Sequence, residues 1–578
     1  MKMRNFLSLA FFCLFFGSCA FAQQANVFVF DQSDYIVQDS ILIKTTDGAQ
    51  VSALVVRKKE VKIPLPTILS FTIYARQTDL KKAKEAADKG YVGVVAYTRG
   101  KKNSPDIAVP YEHDGDDVNA VINWICKQTW SNQKVGMYGG SYNGFAQWAA
   151  TKKLHPALKT IVPSAAAAPG LDVPMTNNVV MSFPFSWTYY VTNNKLLDND
   201  DYNNKQWNDL DDRWYQSGKA YPMLDSLMGR PKNSIFRRWL AHPAYDNYWQ
   251  SMIPYKTDFA KINIPILTTT GYFDGGQIGA LYYYREHLKY NPKAEHYVII
   301  GPYGHFGSQG YPDSVYNGYK IDPVANIPIH DIIYDWFAYI LKGGPKPSVL
   351  KDKINYQLMG SNEWRHAPSL QSTGNDSLVL YLSSKHTDSI FKLEAKKPLK
   401  EAFVKQVIDF KDRNDKHSYF WQRNISYDTL YHNGVMFVSD PLPKNVDLAR
   451  NFTGQIKAAI NKKDMDYSVV LFELTPEGKY FYLSYFMGRA SYATSVTKRK
   501  LLTPGKKETL PFSNTYMSAK RLSKGSRIVI LVNINKSASE QINYGTGRDV
   551  NTETIKDAGR PLEVKWFNDS FVVLPILK

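Results

Sequence analysis

Lys134-Val135-Gly136-Met137-Tyr138-Gly139-Gly140-Ser141-Tyr142-Asn143-Gly144-Phe145-Ala146 is the stretch that decides the fold. It reads as a short apolar strand, a glycine-flanked turn holding one serine, and a helix that starts with small residues and continues through Gln147, Trp148, Ala149 and Ala150. A serine on such a strand-to-helix turn stands clear of the sheet, on strained backbone that tolerates only small neighbours. The helix N-terminus behind it favours developing negative charge. This is the geometry of a nucleophile elbow, although Gly144 lies three residues after the serine where the general pattern has two. Gly-Gly-Ser is also a common polar turn, and what separates the elbow from it is the strand pattern before and the helix pattern after.

Working outward, the same rhythm repeats on both sides. Residues 41–58 read as two strands joined at Asp47-Gly48. An apolar run over 65–73 ends at Tyr74, Asp79 opens a helix that stops at Gly90, and a second apolar run covers 91–97. Val118, Val121, Ile122 and Ile125 mark a helix by their spacing, and 158–162 is another short strand. Strands alternating with helices predict a mostly parallel sheet covered on both faces. From 170 to 255 the pattern changes to crowded aromatics, such as Phe185, Trp187, Trp214 and Trp239, separated by acidic and asparagine-rich loops. This predicts a mostly helical insertion whose aromatics form its own small core, some of them free to line a pocket for an apolar substrate part. The rhythm then returns. Residues 264–270 run into Gly271-Tyr272-Phe273-Asp274-Gly275-Gly276, and 296–300 run into Gly301-Pro302-Tyr303-Gly304-His305. An amphipathic helix follows from Ile329 and closes at Gly343, before a Gly344-Pro345-Lys346-Pro347 linker. Beyond about 350 only strand-like runs remain, including a turn at Thr475-Pro476-Glu477-Gly478, which predicts a sandwich or jelly roll. The expected organisation is a signal peptide at 1–22, a sheet-and-helix domain in two parts at 23–169 and 256–346, a helical insertion at 170–255, and an all-β domain at 347–578.

The chain has 578 residues, 44% hydrophobic and 14% aromatic, which marks it as globular with a large core. Its formal charge of +18 is spread thinly, with short clusters such as Lys498-Arg499-Lys500. That distribution argues against nucleic-acid binding and for a solvated basic surface, open to attraction by acidic polymers. Lys2 and Arg4, the apolar run at 6–16 and Ala20-Phe21-Ala22 compose an export signal cleaved before Gln23. Gly17-Ser18-Cys19 offers a second reading, a lipoprotein signal with Cys19 lipidated, in which Phe16 replaces the usual leucine. The expected location is therefore periplasmic or secreted, alternatively lipid-anchored, with no transmembrane helix. Cys13 and Cys19 fall in the signal, so Cys126 alone remains, and it reads as an apolar filler.

Ser141, Asp274 and His305 each follow a predicted sheet strand. The carboxyl ends of parallel strands share one edge, so three residues far apart in sequence can meet there. Their order, Ser then Asp then His, is that of α/β hydrolases. His305 would take the Ser141 proton, and Asp274 would fix the imidazole tautomer and stabilise its cation. Singly, Asp274 reads as an Asp-Gly turn and His305 as a loop residue, whereas all three at strand ends in this order point to catalysis. Glu112, His113, Asp114, Asp116 and Asp117 raise a metal site, but acids at the start of a helix explain them. No zinc spacing occurs, and no cofactor is expected.

These motifs resemble the cocaine esterase and X-Pro dipeptidyl-peptidase-like hydrolases. Gly139-Gly140-Ser141-Tyr142-Asn143-Gly144 is similar to that family's Gly-x-Ser-Tyr-x-Gly elbow, which itself places the later glycine three after the serine. Gly271-Tyr272-Phe273-Asp274 and Gly301-Pro302-Tyr303-Gly304-His305 resemble its acid and histidine motifs. Trp130-Ser131-Asn132 and Met359-Gly360-Ser361-Asn362-Glu363-Trp364 are similar to its entries to the elbow strand and the jelly roll. The resemblance implies an α/β hydrolase with a helical cap and a C-terminal jelly roll. It also implies an oxyanion hole made from the Tyr74 hydroxyl and the Tyr142 N–H, acting on a small ester, amide or short peptide. Relatives that take a substrate with a free amine carry extra carboxylates after the elbow helix and after the catalytic acid. Here Asp274 is followed by Gly275, Gly276 and Gln277, and only Asp172 remains after the elbow helix, with Asp200 or Asp211 of the cap as substitutes. An ammonium without a carboxylate is costly to bury, which lowers the dipeptidyl-peptidase and amino-ester readings. The family's Asp-x-Arg-Gly-x-Gly segment reads Tyr97-Thr98-Arg99-Gly100-Lys101-Lys102, which leaves the shape of that loop open. The expectation is an exported serine hydrolase working through an acyl-enzyme. The rivals are X-Pro exopeptidase or amino-ester activity and, from another class, an inactive carbohydrate- or surface-binding protein using the jelly roll.

Overall fold

The computed structural model describes residues 34–414 and 424–578. The export and lipidation motifs, with Cys13 and Cys19, lie outside the described residues. Ten strands form the hydrolase sheet. Their spatial order is β1 (Tyr35–Lys44), β2 (Gln50–Lys58), β4 (Val92–Tyr97), β3 (Leu65–Thr72), β5 (Ser131–Gly140), β6 (Leu158–Ser164), then Ile266–Phe273, His296–Gly304, Ile354–Leu358 and Glu363–Ala367. The inner pairs from β4 to Ile354–Leu358 are parallel, and antiparallel pairs close both edges. Inner strands such as β4 are buried at every residue, because helices cover both faces of a parallel sheet.

Helix α1 (Asp79–Asp88) ends at Gly90, whose φ of +77° suits glycine. Helix α2 (Asp114–Cys126) buries Val118, Val121, Ile122 and Ile125, the three-four stripe read from sequence. Helix α3 (Tyr142–Thr151), the elbow helix, is buried along its whole length, which explains its run of small residues. Its Trp148 stacks on Tyr283 of the helix Gln277–Tyr290 at 4.6 Å. The helix Ile329–Lys342 stops at Gly343, as its periodicity predicts.

Between β6 and Ile266–Phe273 the chain leaves the sheet and forms helices including Phe183–Thr192, Gln206–Ser217 and Ser234–Leu240. The C-terminal strands build one large, mostly antiparallel assembly, in which Asp466–Leu474 and Tyr480–Arg489 form a hairpin across Thr475–Gly478. The strands Ile354–Leu358 and Glu363–Ala367, grouped with the jelly roll in the sequence reading, instead complete the hydrolase sheet. Val298 pairs with Ile354 in parallel, and β-propensity alone carries no information about which sheet a strand joins. The two assemblies meet just past the carboxyl end of the strand Ile266–Phe273. Gln277 exchanges two hydrogen bonds with the Met517 backbone, at 2.6 and 3.0 Å.

Candidate active site

The elbow is held at both ends by backbone. Ser141 N–H donates to the Ser164 carbonyl at 2.9 Å, and the Ser141 carbonyl accepts from Gly144, Phe145 and Ala167 at 3.0–3.2 Å. These bonds hold Ser141 at φ +60° and ψ −121°, a conformation that non-glycine residues rarely adopt and that marks functional strain. Two glycines permit it. A Cβ on Gly144 would stand 2.8 Å from Ala166, and one on Gly140 would stand 1.9 Å from Gln309 Oε1. That second contact packs the His305 loop onto the elbow, since Gln309 Nε2 donates to the His305 carbonyl at 2.6 Å. Thr269 Oγ1 ties the same region together, bridging Ser164 Oγ at 2.7 Å and the Ser308 carbonyl at 2.6 Å.

Asp274 is fully buried and lies 2.7 Å from His305 Nδ1 through Oδ1. The same oxygen accepts from Gly276 N–H at 2.8 Å, while Oδ2 accepts from Thr270 Oγ1 at 2.8 Å and Ser308 Oγ at 3.3 Å. With every lone pair engaged, the carboxylate cannot swing away from the imidazole. Burial opposes a charge on His305, but the attraction and hydrogen bond of Asp274 outweigh it and raise its pKa above the usual value. Among the described residues no hydrogen bond joins Ser141 to His305. A nucleophile–base bond commonly closes only in the substrate complex.

Tyr74 lies just past β3, the strand that pairs in parallel with the β5 strand leading to Ser141. Burial raises its phenol pKa, and hydrogen bonding with Ser141 and Trp187 pulls part of the way back. The Trp187 indole N–H donates to the Tyr74 oxygen at 3.3 Å, which leaves the phenolic proton available for another acceptor. Tyr142 opens α3, so its N–H has no acceptor within the helix. Its phenol is anchored deep in the core: it donates to Asp114 at 2.8–2.9 Å and accepts from Tyr111 N–H at 3.1 Å. Burial pushes Asp114 up to about 7 against the hydrogen bonds from Tyr142 and Thr98.

Of the five candidate residues, His305 and Asp274 share a direct 2.7 Å contact, Tyr142 follows Ser141 in the chain, and Tyr74 is tied to the cap through Trp187. Trp187 and Asp114 are the supports that sequence reasoning missed. In sequence Trp187 is one of many aromatics between 170 and 255, and Asp114 is one of several acids at a helix start. The rest of that acidic run is also engaged: Asp117 with Arg99 at 2.6 Å, Asp116 with Lys153 at 2.8 Å, Glu112 with Arg238 at 2.6 Å. Arg99 reaches Asp47 as well, at 2.8 Å, so the departing Arg99-Gly100-Lys101-Lys102 loop is clamped to the sheet edge.

Of the candidate amine partners, Asp172 and Asp211 are engaged and Asp200 faces solvent. Asp172 is buried and accepts from Ala168 N–H at 2.7 Å and from the Gly279 backbone, and burial raises its pKa well above normal. A Cβ on Gly279 would lie 2.3 Å from its second oxygen. Asp211 accepts from Ser182 Oγ at 2.7 Å, while Asp200 is exposed.

Comparison with known proteins agrees with this architecture. Residues 47–307 match the family described as X-Pro dipeptidyl-peptidase (S15 family), and residues 350–561 match the X-Pro dipeptidyl-peptidase C-terminal non-catalytic domain. A cocaine esterase from Rhodococcus sp. is 22% identical, over 94% of this chain and 99% of its own. Among solved structures, an α-amino acid ester hydrolase superposes with a TM-score of 0.78 at 20% identity, covering 97% of this chain and all of its own. An aminopeptidase from a marine sediment Thaumarchaeota archaeon gives 0.76 at 19% identity, covering 94% and 97%.

Proposed function

Because the chain belongs to the X-Pro dipeptidyl-peptidase-like family of serine hydrolases, we propose that it cleaves ester or amide bonds through an acyl-enzyme formed on Ser141. The observation that carries this reading is the His305–Asp274 pair at 2.7 Å, set on the loop that packs against the strained Ser141 elbow. With Nδ1 held by Asp274, His305 Nε2 is the nitrogen left to take the Ser141 proton. Ser141 Oγ then bonds to the substrate carbonyl carbon. The oxyanion forms against the Tyr74 hydroxyl and the Tyr142 N–H, where preorganised donors are worth roughly 3 kcal/mol each. Collapse breaks the bond to the leaving group, which receives the proton from His305. Water, deprotonated by His305, attacks the acyl carbon and frees the acid and Ser141.

The substrate class follows from what surrounds the site. Asp172 is spent on backbone amides, and Gly275, Gly276 and Gln277 follow Asp274, so neither position offers a substrate ammonium a free carboxylate. The favoured substrate is therefore an acyl ester or amide without a free α-amine. Parallel kinetics on 4-nitrophenyl butyrate, an alanine aryl ester and an Ala-Pro arylamide test this. The expected order of kcat/KM puts the butyrate first, and a preference for Ala-Pro arylamide would assign an exopeptidase instead. The sequence features at the N-terminus support export of this enzyme, with cleavage before Gln23 or lipidation at Cys19. Intact mass of the mature protein from its native host separates the two.

A further inference from the structure

Lys101 is fully buried, yet among the described residues it pairs with no carboxylate. Its three ammonium protons go instead to three cap carbonyls: Val191 at 2.7 Å, Asn194 at 2.5 Å and Leu196 at 3.1 Å. An ammonium has three donors, so the group is saturated. Val191 belongs to the last turn of the helix Phe183–Thr192, where carbonyls lack intrahelical partners and a cation is favoured. The contact is reciprocated. Lys195 Nζ donates to the carbonyls of Gly100, Ser104 and Asp106, and Lys102 N–H donates to the Lys195 carbonyl at 2.8 Å. Burial and the neighbouring Lys195 lower the Lys101 pKa to about 8, with Asp198 opposing them, so the group keeps its charge at neutral pH.

The clamped helix leads back to the site. Trp187 sits one turn before Val191, and its indole N–H is the group that donates to the Tyr74 oxygen at 3.3 Å. Its ring stacks on Tyr111 at 5.9 Å and meets Tyr74 edge-on at 6.5 Å. Just past the clamp, Leu197 N–H donates to the carbonyl of Ala75, the residue after Tyr74. An apolar side chain could fill the same space at lower desolvation cost. What an ammonium with three fixed acceptors adds is position.

We propose that Lys101 is a positioning residue for the oxyanion donor: it clamps the C-terminal end of the cap helix so that Trp187 holds the Tyr74 hydroxyl toward Ser141. This rests on Tyr74 serving as an oxyanion donor. The test is a set of double-mutant cycles on the full chain with 4-nitrophenyl butyrate, combining Lys101→Met and Trp187→Phe each with Tyr74→Phe. Each single variant is expected to lower kcat about tenfold with little change in KM when Tyr74 is present, and by less than about twofold when it is Phe. Equal losses in both backgrounds, or a change in KM alone, overturn the proposal. Lys101→Arg, which keeps a cation but misplaces it, enters the same cycle should Lys101→Met not accumulate folded. Trp187→Phe leaves the clamp intact and must couple to Tyr74→Phe in any case, so independence there also overturns it. Should Tyr74→Phe alone leave kcat unchanged, the oxyanion reading fails. A slowed Tyr74→Phe with additive partners preserves that reading and removes only the clamp.

Discussion

His305 is braced from within the hydrolase sheet, whereas Tyr74 is braced from the cap. The partners of His305 and Asp274, namely Thr270, Gly276 and Ser308, all lie on the loops and strand ends that carry the pair. Tyr74 depends on Trp187, 113 residues away, and Tyr142 depends on Asp114 at the start of α2. The base side of the site is therefore assembled by local chain geometry. The Tyr74 and Tyr142 side is assembled by long-range contacts, from the cap for Tyr74 and from α2 for Tyr142.

Replacing Asp274 by Asn should produce the largest change after loss of the nucleophile itself. We expect kcat to fall by ~10⁴, as loss of the orienting carboxylate does in such triads. The pH dependence has a definite sign. With His305 as the proposed general base the reactive imidazole is the neutral form, so kcat/KM should fall as pH drops through the His305 pKa, which Asp274 raises. In Asp274→Asn the acid limb should move to lower pH while the plateau collapses. An acid limb that stays in place would mean that another group titrates there.

Tyr74→Phe probes the other side and should act more mildly. Removing one oxyanion donor is expected to lower kcat by ~10²–10³, with KM changed far less. Comparing this variant with Asp274→Asn sharpens the contrast between the two sides. The Tyr74→Phe loss should leave the acid limb where it is in wild type.

Asp114→Asn should have the smallest effect on rate, a loss of about tenfold or less, because Asp114 acts through the Tyr142 phenol. Its signature lies in stability. Burial lifts the folded pKa of Asp114 from 3.8 to about 7, so the native state holds a proton that the unfolded state releases between those values. Stability from this group is complete below about pH 4 and declines as pH rises through 7, by on the order of 4 kcal/mol in full. Asp114→Asn should flatten that part of a Tm-against-pH curve, and an unchanged slope would assign it elsewhere.

The same contrast explains what could be read in advance. The pairing of His305 with Asp274 was legible, and Ser141 stood out as a candidate beside it, because each sits at the end of an apolar run, in a glycine-rich segment. The parallel sheet and the helices marked by Val118 or Ile329 were legible through periodicity. Trp187 and Asp114 were not, since nothing local separates Trp187 from the other cap aromatics or Asp114 from its acidic neighbours. The membership of Ile354–Leu358 in the hydrolase sheet was hidden for a related reason, because pairing partners are a property of tertiary structure. Lys101 stands out in the sequence only as a departure in a loop, because the three carbonyls it meets lie 90–95 residues further along the chain.

The most direct test of the central claim is covalent labelling of the full chain with a fluorophosphonate, read by peptide mass mapping. A single adduct on Ser141, formed in wild type and lost in Ser141→Ala, with labelling slowed by roughly the factor that Asp274→Asn costs in kcat, is the predicted result. A wild-type protein that stays unlabelled while cleaving no activated ester, or an adduct on a residue other than Ser141, would contradict the account.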